Sequence, residues 1–369
     1  MKRKMMNLAA MALSALLCFA TTAAATQPET TWYVDVSATG GDGKTPETAF
    51  KTLNDALTNS GLQEGNTIMI ASGEYKGTDN TGIEISKNLN FIKYGDDEAI
   101  FDAENQRRIW TVKATSINIT GLTFKNGKVD KGGAIYFANK LNNFNINATF
   151  TNNTASSSGG GAIHFEEDYE YTGNINGIFV NNTASSSGAA INVVRGSFAG
   201  NINGSFVNNK ASYGGAVYID QDFTGNIAGI FINNKGNSGG GAIELEHGTM
   251  SGNITGIFIN NTADNGGAIY TDESDTDGLL IRDSIFINNK DNIAGSDYSE
   301  YNVFVKNSWF GNNANNYNTA PIVGDGVIMS DWLFLNATAD PAELNVNGTS
   351  TITFKLDSYN DKTLLIQYS

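Results

Sequence analysis

The chain has 369 residues, with 41 glycines, 4 prolines, one cysteine and two histidines. Its 23 basic and 38 acidic residues leave a formal charge of −15, which argues against nucleic-acid binding, because that function needs basic patches. A chain of this length is able to bury a large continuous core.

Residues 1–25 have the features of a secretory signal peptide. Residues 2–4 are basic, an apolar run follows over residues 8–20, and three alanines at 23–25 fit a small-residue cleavage site. The apolar run is shorter than the roughly 20 residues that cross a bilayer. We therefore expect a secreted or cell-surface, extracellular protein that keeps no transmembrane span after cleavage. The single cysteine, Cys18, would leave with the signal peptide.

Residues 26–66 are predicted to form an N-terminal cap. A strand pattern over residues 31–36 is followed by a glycine-rich turn at 39–43. Residues 49–57 then carry apolar side chains at helical spacing, which predicts one short amphipathic helix. Such a unit suits the open end of a stacked β structure, whose core and strand edges need cover.

A repeated pair of phrases organises the next region, residues 67–335. Phe-x-Asn-Asn recurs every 24 to 29 residues, and Gly-Gly-Ala-Ile or a close variant occurs six times between residues 132 and 269. A repeat of this length is one supersecondary unit that must stack on its neighbours to bury its apolar face.

The repeat unit is predicted to consist of strands. Ile175, Gly177 and Phe179 share one parity, and the residues between them vary from repeat to repeat, as expected for the two faces of a strand. Asn, Gly and Ser are poor helix formers, and no helical period is visible. The pattern therefore predicts an all-β fold, a parallel β-solenoid of roughly ten coils.

The repeated Phe and the first Asn after it are predicted to be structural. The Phe should stack on the Phe of the next coil, and the Asn should sit at an inward bend and hydrogen-bond to its counterparts in a ladder. The predicted column and ladder consist of Phe150, Asn152, Phe179, Asn181, Phe206, Asn208, Phe231, Asn233, Phe258, Asn260, Phe286 and Asn288.

Residues 336–369 differ in composition from the repeats and are predicted to form two strands joined by a turn. They resemble the opening of the immunoglobulin-like repeats of bacterial and archaeal surface proteins. Since such a sandwich needs about 100 residues, the segment is either a partial immunoglobulin-like domain or a strand cap on the last coil.

The two phrases resemble the repeats of chlamydial polymorphic outer-membrane proteins. The whole layout resembles the adhesin-like proteins of methanogenic archaea, with Tyr33-Val34-Asp35 and Phe50-Lys51-Thr52-Leu53 matching their cap. This resemblance implies a right-handed parallel β-helix. It does not decide the activity, because the same fold carries adhesins and polysaccharide-cleaving enzymes.

Two outward rows are candidate binding sites. In the first, aromatic and polar side chains are suited to bind a glycan; it consists of Tyr136, His164, Tyr218, Glu244 and Tyr270. The second row lies one outward position further along and is acidic; it consists of Glu166, Asp220, Glu246 and Asp272. Carboxylates at this density are able to supply several of the six to eight oxygens of a Ca²⁺ site. The alternative is a solvated face without a ligand.

No catalytic residue is predicted. β-Helix polysaccharide lyases and hydrolases use clustered carboxylates with Arg, Lys or His, and the chain has no Asn-Thr-Asp, Gly-His-Gly or Arg-Ile-Lys phrase. We expect a non-catalytic, adhesin-like protein that binds glycans or the surface of a host or neighbouring cell. A polysaccharide lyase or glycoside hydrolase and a structural rod of the cell envelope stay as alternatives.

Overall fold

The computed structural model describes residues 30–165, 169–272, 278–295 and 303–310, and the backbone of 322–323, 327–329, 331–340 and 351–360. From Thr31 onward the chain belongs to one compact unit. The predicted signal peptide, residues 1–25, lies outside the described residues, and so does Glu166.

Strands dominate the described residues. A 3-10 helix covers Pro46–Thr48, and the one α-helix found among them, α1, covers Leu53–Thr58. The strands are, in chain order, β1 (Thr31–Val34), β2 (Thr67–Tyr75), β3 (Ile83–Ile85), β4 (Leu89–Asp102), β5 (Trp110–Val112), β6 (Ile117–Lys125), β7 (Lys128–Val129), β8 (Ile135–Phe137), β9 (Asn142–Thr151), β10 (Thr154–Ala155), β11 (Ile163–Phe165), β12 (Glu170–Val180), β13 (Thr183–Ala184), β14 (Ile191–Val193), β15 (Ser197–Phe198), β16 (Asn201–Val207), β17 (Val217–Ile219), β18 (Asn226–Ile232), β19 (Ile243–Glu246), β20 (Asn253–Ile259), β21 (Ile269–Asp272), β22 (Leu280–Arg282), β23 (Ile285–Ile287), β24 (Ile293–Gly295), β25 (Val303–Lys306), β26 (Ser308–Trp309), β27 (Ile322–Val323), β28 (Val327–Met329), β29 (Asp331–Asp340) and β30 (Thr351–Asn360).

The strands form a parallel β-solenoid, which confirms the predicted fold. A long sheet of 17 strands and a short sheet of ten strands face each other across the core, and β7, β10 and β13 form a third, small sheet. Each coil contributes one strand to the short sheet, from β3 to β27. About eight turns, from β2 to β21, are described almost continuously, slightly fewer than the predicted ten or so.

The N-terminal segment joins the solenoid as predicted, but its helix is shorter than expected. Strand β1 pairs in parallel with β2. Helix α1 begins at Leu53 and not at residue 49, because the Thr52 side chain accepts the N–H of Asp55 and the Asp55 carboxylate accepts the N–H of Thr52. This capping box fixes where the helix starts. Within the helix, the side chains of Leu53 and Ala56 are buried.

An aromatic column lies inside the long sheet. The rings from Phe124 to Phe310 stack coil on coil, with centroids 4.6–5.2 Å apart and planes within 12° of parallel. Each ring takes the same inner position because the strands pair without a register shift from β12 to β20. The Phe recurs in each repeat because its ring stacks on the Phe rings of the two neighbouring coils.

The asparagine ladder is formed by the second Asn of each phrase, which corrects the prediction. Asn182 Nδ2 donates to Asn209 Oδ1 at 3.0 Å and to the carbonyl of Phe150 at 3.1 Å. The ladder consists of Asn153, Asn182, Asn209, Asn234, Asn261 and Asn289. The predicted ladder residues, which are the first of each pair, have φ between 53° and 56°, and they consist of Asn152, Asn181, Asn208, Asn233, Asn260 and Asn288. A residue in this left-handed conformation interrupts the strand alternation, so the next side chain points inward instead.

The glycine phrase turns the chain into the short sheet. Its first glycine has positive φ, for example 52° at Gly214. Its second glycine lies against the backbone of a neighbouring coil; a Cβ on Gly161 would lie 2.5 Å from the carbonyl oxygen of Thr183. The two glycines therefore serve different needs, backbone conformation and close approach.

The last two strands form a hairpin that continues from the solenoid. Strand β29 pairs in parallel with β26 and antiparallel with β30 over its whole length. The predicted pair of strands within residues 336–369 is therefore present, but the first of them begins at Asp331, before the predicted boundary.

Candidate functional site

The predicted glycan-binding row is in register but is not a solvent-facing surface. Along the short sheet, Tyr136, His164, Asn192, Tyr218, Glu244 and Tyr270 occupy equivalent positions. His164 and Glu244 are 1% exposed and Tyr218 is 8% exposed. Tyr136 and Tyr270 are half-buried. The expectation of an open outer face is therefore wrong for three of the five predicted residues.

The glycine-rich turns cover this row. A Cβ on Gly239 would lie 2.5 Å from Glu244 Oε1, and Gly159 lies in the same way against the amide of Asn192. Only a residue without a side chain allows the turn to pass so close. The turn preceding each short strand thus lies over side chains that would otherwise face solvent.

Under the turns the polar side chains pair with one another. Asn192 Nδ2 lies 2.9 Å from His164 Nδ1. Because the amide nitrogen is a donor, this ring nitrogen is the acceptor. The ring of His164 contacts Tyr136, whose face also carries the Arg108 guanidinium 4.7 Å from the ring centroid. This half of the row is a set of buried polar contacts.

A cluster of acidic groups and one imidazole follows along the row. Glu244 Oε2 accepts the N–H of Gly214 at 2.6 Å, and the hydroxyl of Tyr218 donates to Glu246 Oε2 at 2.6 Å. Asp220 Oδ1 lies 2.7 Å from Nδ1 of His247. One ligand atom from each of Asp220, Glu246 and His247 lies within 4.8 Å of the other two.

Burial changes the acidity of three groups in this cluster. Burial raises the pKa of the Glu244 carboxyl well above its usual value, and contact with the Glu246 carboxylate raises it further. Burial also raises the pKa of the hydroxyls of Tyr218 and Tyr270, with smaller contributions from the neighbouring carboxylates. Glu244 is thus stabilised in its protonated form.

The predicted calcium row is only partly assembled. Asp220 and Glu246 come together, but Asp272, although paired in register with Glu246, is not part of the close group. Glu166 lies outside the described residues. Sequence analysis missed His247, because it follows the strand instead of lying on its outward parity. Its φ of 55° brings the imidazole to Asp220, and the glycine after it was the one signal of a turn there.

The outward face of the long sheet is a second candidate surface, here called the amide–aliphatic face. On β12, β16, β18 and β20 its residues are Asn174, Asn176, Ile178, Val180, Asn201, Asn203, Ser205, Val207, Asn226, Ala228, Ile230, Ile232, Asn253, Thr255, Ile257 and Ile259. None of them is charged. Ile178 and Ile230 are 49% and 41% exposed, which is unusual for large apolar side chains in these strands.

Amide side chains form an ordered edge on this face. Asn201 donates to Asn174, Asn226 to Asn201 and Asn253 to Asn226, at 2.8–2.9 Å. A shallow groove of about 430 Å³ lies beside the first of them, lined by residues that include Gly173, Gly200 and Asn201. Asn201 and Asn226 each use one donor and one acceptor in this row and keep hydrogen-bonding capacity for a ligand.

No helix among the described residues is long and apolar enough to cross a membrane.

Comparison with known proteins identifies two of the repeats. Residues 147–166 and 255–272 match the model of the Chlamydia polymorphic membrane protein (Chlamydia_PMP) repeat. Each match contains one Phe-x-Asn-Asn phrase and the Gly-Gly-Ala-Ile phrase that follows it, the two features that build one coil. No curated protein and no solved structure matched the chain. The chain is thus similar to this repeat family in two of its coils.

Proposed function

We propose that the protein is a surface-exposed, adhesin-like β-helix that acts by binding glycans or another cell surface and not by catalysis. The observation that carries this proposal is the amide–aliphatic face. On a chain of formal charge −15, it is an uncharged surface with exposed Ile178 and Ile230. Ser205 separates these two, but a row of half-buried aliphatic side chains beside them makes the apolar surface contiguous, which is typical of an interaction site; the row consists of Val180, Val207, Ile232 and Ile259.

The chemistry of this face suits a glycan. Sugars present hydroxyl groups that hydrogen-bond to amides and C–H faces that pack on aliphatic side chains. The outward row of asparagines that includes Asn174, Asn201 and Asn226 offers hydrogen bonds, and the isoleucines beside it offer aliphatic contacts. A location on the outside of a cell is supported by the match to polymorphic membrane protein repeats.

The enzyme alternative finds little support in the acidic cluster. A glycoside hydrolase needs two carboxyl groups that both reach the sugar. Glu244 and Glu246 are close to each other, but Glu244 is 1% exposed and lies under the turn at Gly239. A substrate would have to displace that turn to reach it.

A binding assay with matched variants tests the proposal. The purified protein is applied to a glycan array and to intact cells, alongside the double variant Ile178→Lys/Ile230→Lys and the control Tyr213→Lys. Tyr213 is also a large exposed side chain, at 41%, but it lies between β16 and β17, outside the long sheet. We expect the double variant to lose binding and the control to keep it.

Three outcomes would contradict the proposal. Equal binding by the double variant would remove the amide–aliphatic face as the binding surface. Release of reducing ends or unsaturated sugars from a bound polysaccharide would show an enzyme. Absence of any binding in both assays would favour the structural rod.

A further inference from the structure

A group of metal-ligand side chains lies where the short strands β17 and β19 end. Asp220 follows β17 and Glu246 ends β19, one coil further along, in the register that pairs Ile219 with Leu245. His247 and Gly248 both have positive φ, 55° and 66°, so the chain turns back as soon as the strand ends. This turn places the imidazole against the carboxylate of the preceding coil.

The spacing of these atoms is close to that of ligands on one ion. His247 Nδ1 and Asp220 Oδ1 are 2.7 Å apart, and all three ligand atoms lie within 4.8 Å of one another. Two ligands of one Zn²⁺, each at about 2.0–2.2 Å, lie about 3–3.5 Å apart. The adjustment needed is about an ångström, in side chains that are 49% exposed at His247 and 19% at Asp220.

Glu244 supplies an independent indication that this cluster has a ligand. Its side chain is almost fully buried, Oε2 accepts the N–H of Gly214, and Oε1 has no hydrogen-bond donor among the described residues. Glu244 lies on the same outward side of β19 as Glu246, two residues earlier. A buried carboxyl oxygen without a donor needs either its own proton or a cation, and a metal ion bound at the cluster would compete with that proton.

The imidazole decides which class of ion fits. Ca²⁺ takes six to eight oxygen ligands and has no use for a histidine. A mixed set of imidazole and carboxylates suits first-row divalent metals such as Zn²⁺. The His247 side chain is 49% exposed, so water or an oxygen of another molecule is able to complete the coordination.

We propose that Asp220, Glu246 and His247 bind a first-row divalent transition-metal ion, with the buried carboxyl of Glu244 behind them. The site joins two successive coils at the edge of the short sheet, and it does not depend on the binding function proposed for the long sheet. It replaces the calcium site that the acidic row alone had predicted.

Calorimetric titration with ZnCl₂ tests the proposal on the purified protein after removal of metal with EDTA and exchange into chelator-free buffer. The variants are Glu246→Gln and His247→Asn, the latter chosen because Asn tolerates positive φ. The control is Asp264→Asn, which removes an exposed carboxylate outside the cluster that pairs with Lys290. Melting curves without metal verify that each variant is folded.

We expect the wild type and the control to bind one equivalent of Zn²⁺. Both cluster variants should bind at least about tenfold more weakly, since even the loss of a supporting partner costs 10–100-fold. Zn²⁺ should also raise the melting temperature of the wild type and not of the variants. The proposal is overturned if wild type does not bind Zn²⁺ or if the variants bind it equally well. It is also overturned if Ca²⁺ binds more tightly than Zn²⁺ and His247→Asn leaves that binding unchanged.

Discussion

Two stacks of side chains extend through the same coils, and they differ in whether the residue type repeats from coil to coil. The inner Phe column and its asparagine ladder repeat one residue type from coil to coil. The row on the short sheet, under the glycine turns, changes at almost every coil, from His164 to Asn192, Tyr218 and Glu244. Both are buried. A buried residue that repeats is stabilised by stacking on the same residue type in the neighbouring coils. A buried residue that varies must be stabilised by contacts found in its own coil only.

The strongest test of the repeated stack is removal of one ring. Phe206→Ala should lower the free energy of unfolding by about 3–5 kcal/mol, because the ring is fully buried between two parallel neighbours 4.6–4.9 Å away. Chemical denaturation of the wild type and the variant measures the difference. A loss below about 1 kcal/mol would mean that the rings do not stack as the structure has them.

The asparagine pair in the same coil gives a sharper comparison. Asn209→Ala should cost about 1–3 kcal/mol, because it removes the acceptor of the buried Asn182 backbone N–H and of the Asn182 amide, and the amide donor to the Phe179 carbonyl. Its matched control is Asn208→Gly, since Asn208 is exposed at φ 55° and glycine accepts that conformation. The control should change stability by less than about 0.5 kcal/mol. Equal losses at both positions would contradict the ladder assignment.

The repeat made the fold predictable from sequence. The fixed spacing of Phe and of the glycine phrase required stacked coils, and the parity of Ile175 and Phe179 gave the inner face. The choice between Asn181 and Asn182 was not predictable by counting parity, because the left-handed residue shifts the alternation by one. A pattern at period two cannot show where a chain leaves the strand conformation.

The sites were less predictable than the fold, for a related reason. Strand parity correctly put Tyr218 and Glu244 on the outer side of the short sheet, but not the turn that covers them. In the sequence that turn appears only as glycines, and a glycine does not show which side chain its backbone will lie against. The contact between His247 and Asp220 joins residues 27 positions apart through a positive φ, which periodicity does not encode.

Substitutions in the row on the short sheet should change stability mainly through charge, whereas substitutions in the Phe column should change it mainly through lost volume. Glu244→Gln should raise the free energy of unfolding at pH 8 on the order of 1–3 kcal/mol, measured in EDTA, because it removes a carboxyl that is costly to ionise where it is buried. The folded-state pKa of Glu244 is raised above the ordinary 4.5, so its protonated form stabilises the fold below that pH. That stability is lost as the pH rises toward the folded pKa.

The measurement is the difference in stability between the wild type and Glu244→Gln at pH 5 and at pH 8. The variant's advantage should be larger at pH 8 than at pH 5, because the wild type alone has this proton to lose. Other carboxyl groups act in the opposite sense; burial alone would raise the pKa of Asp102, but its hydrogen bonds with the backbone of Glu104 and with Asn126 and the nearby Lys125 together outweigh burial and lower that pKa. Since they are common to both proteins, they cancel in the difference. An advantage that is the same at both pH values would place the Glu244 carboxyl in water.

The smallest effect on stability is expected on a third stack, the outward face of the long sheet. Ile230 and Phe231 are neighbours in β18, yet Ile230 is 41% exposed and Phe231 is fully buried. Ile230→Lys should therefore change the free energy of unfolding by less than about 1 kcal/mol, since only strand propensity and partial burial are lost. The same change places a positive charge in the middle of an uncharged face, so adhesion to cells or glycans should fall sharply. A folded variant that melts with the wild type but no longer adheres would separate the binding surface from the core. A variant that melts many degrees lower would show instead that this isoleucine column is repeated for stability, as the Phe column is.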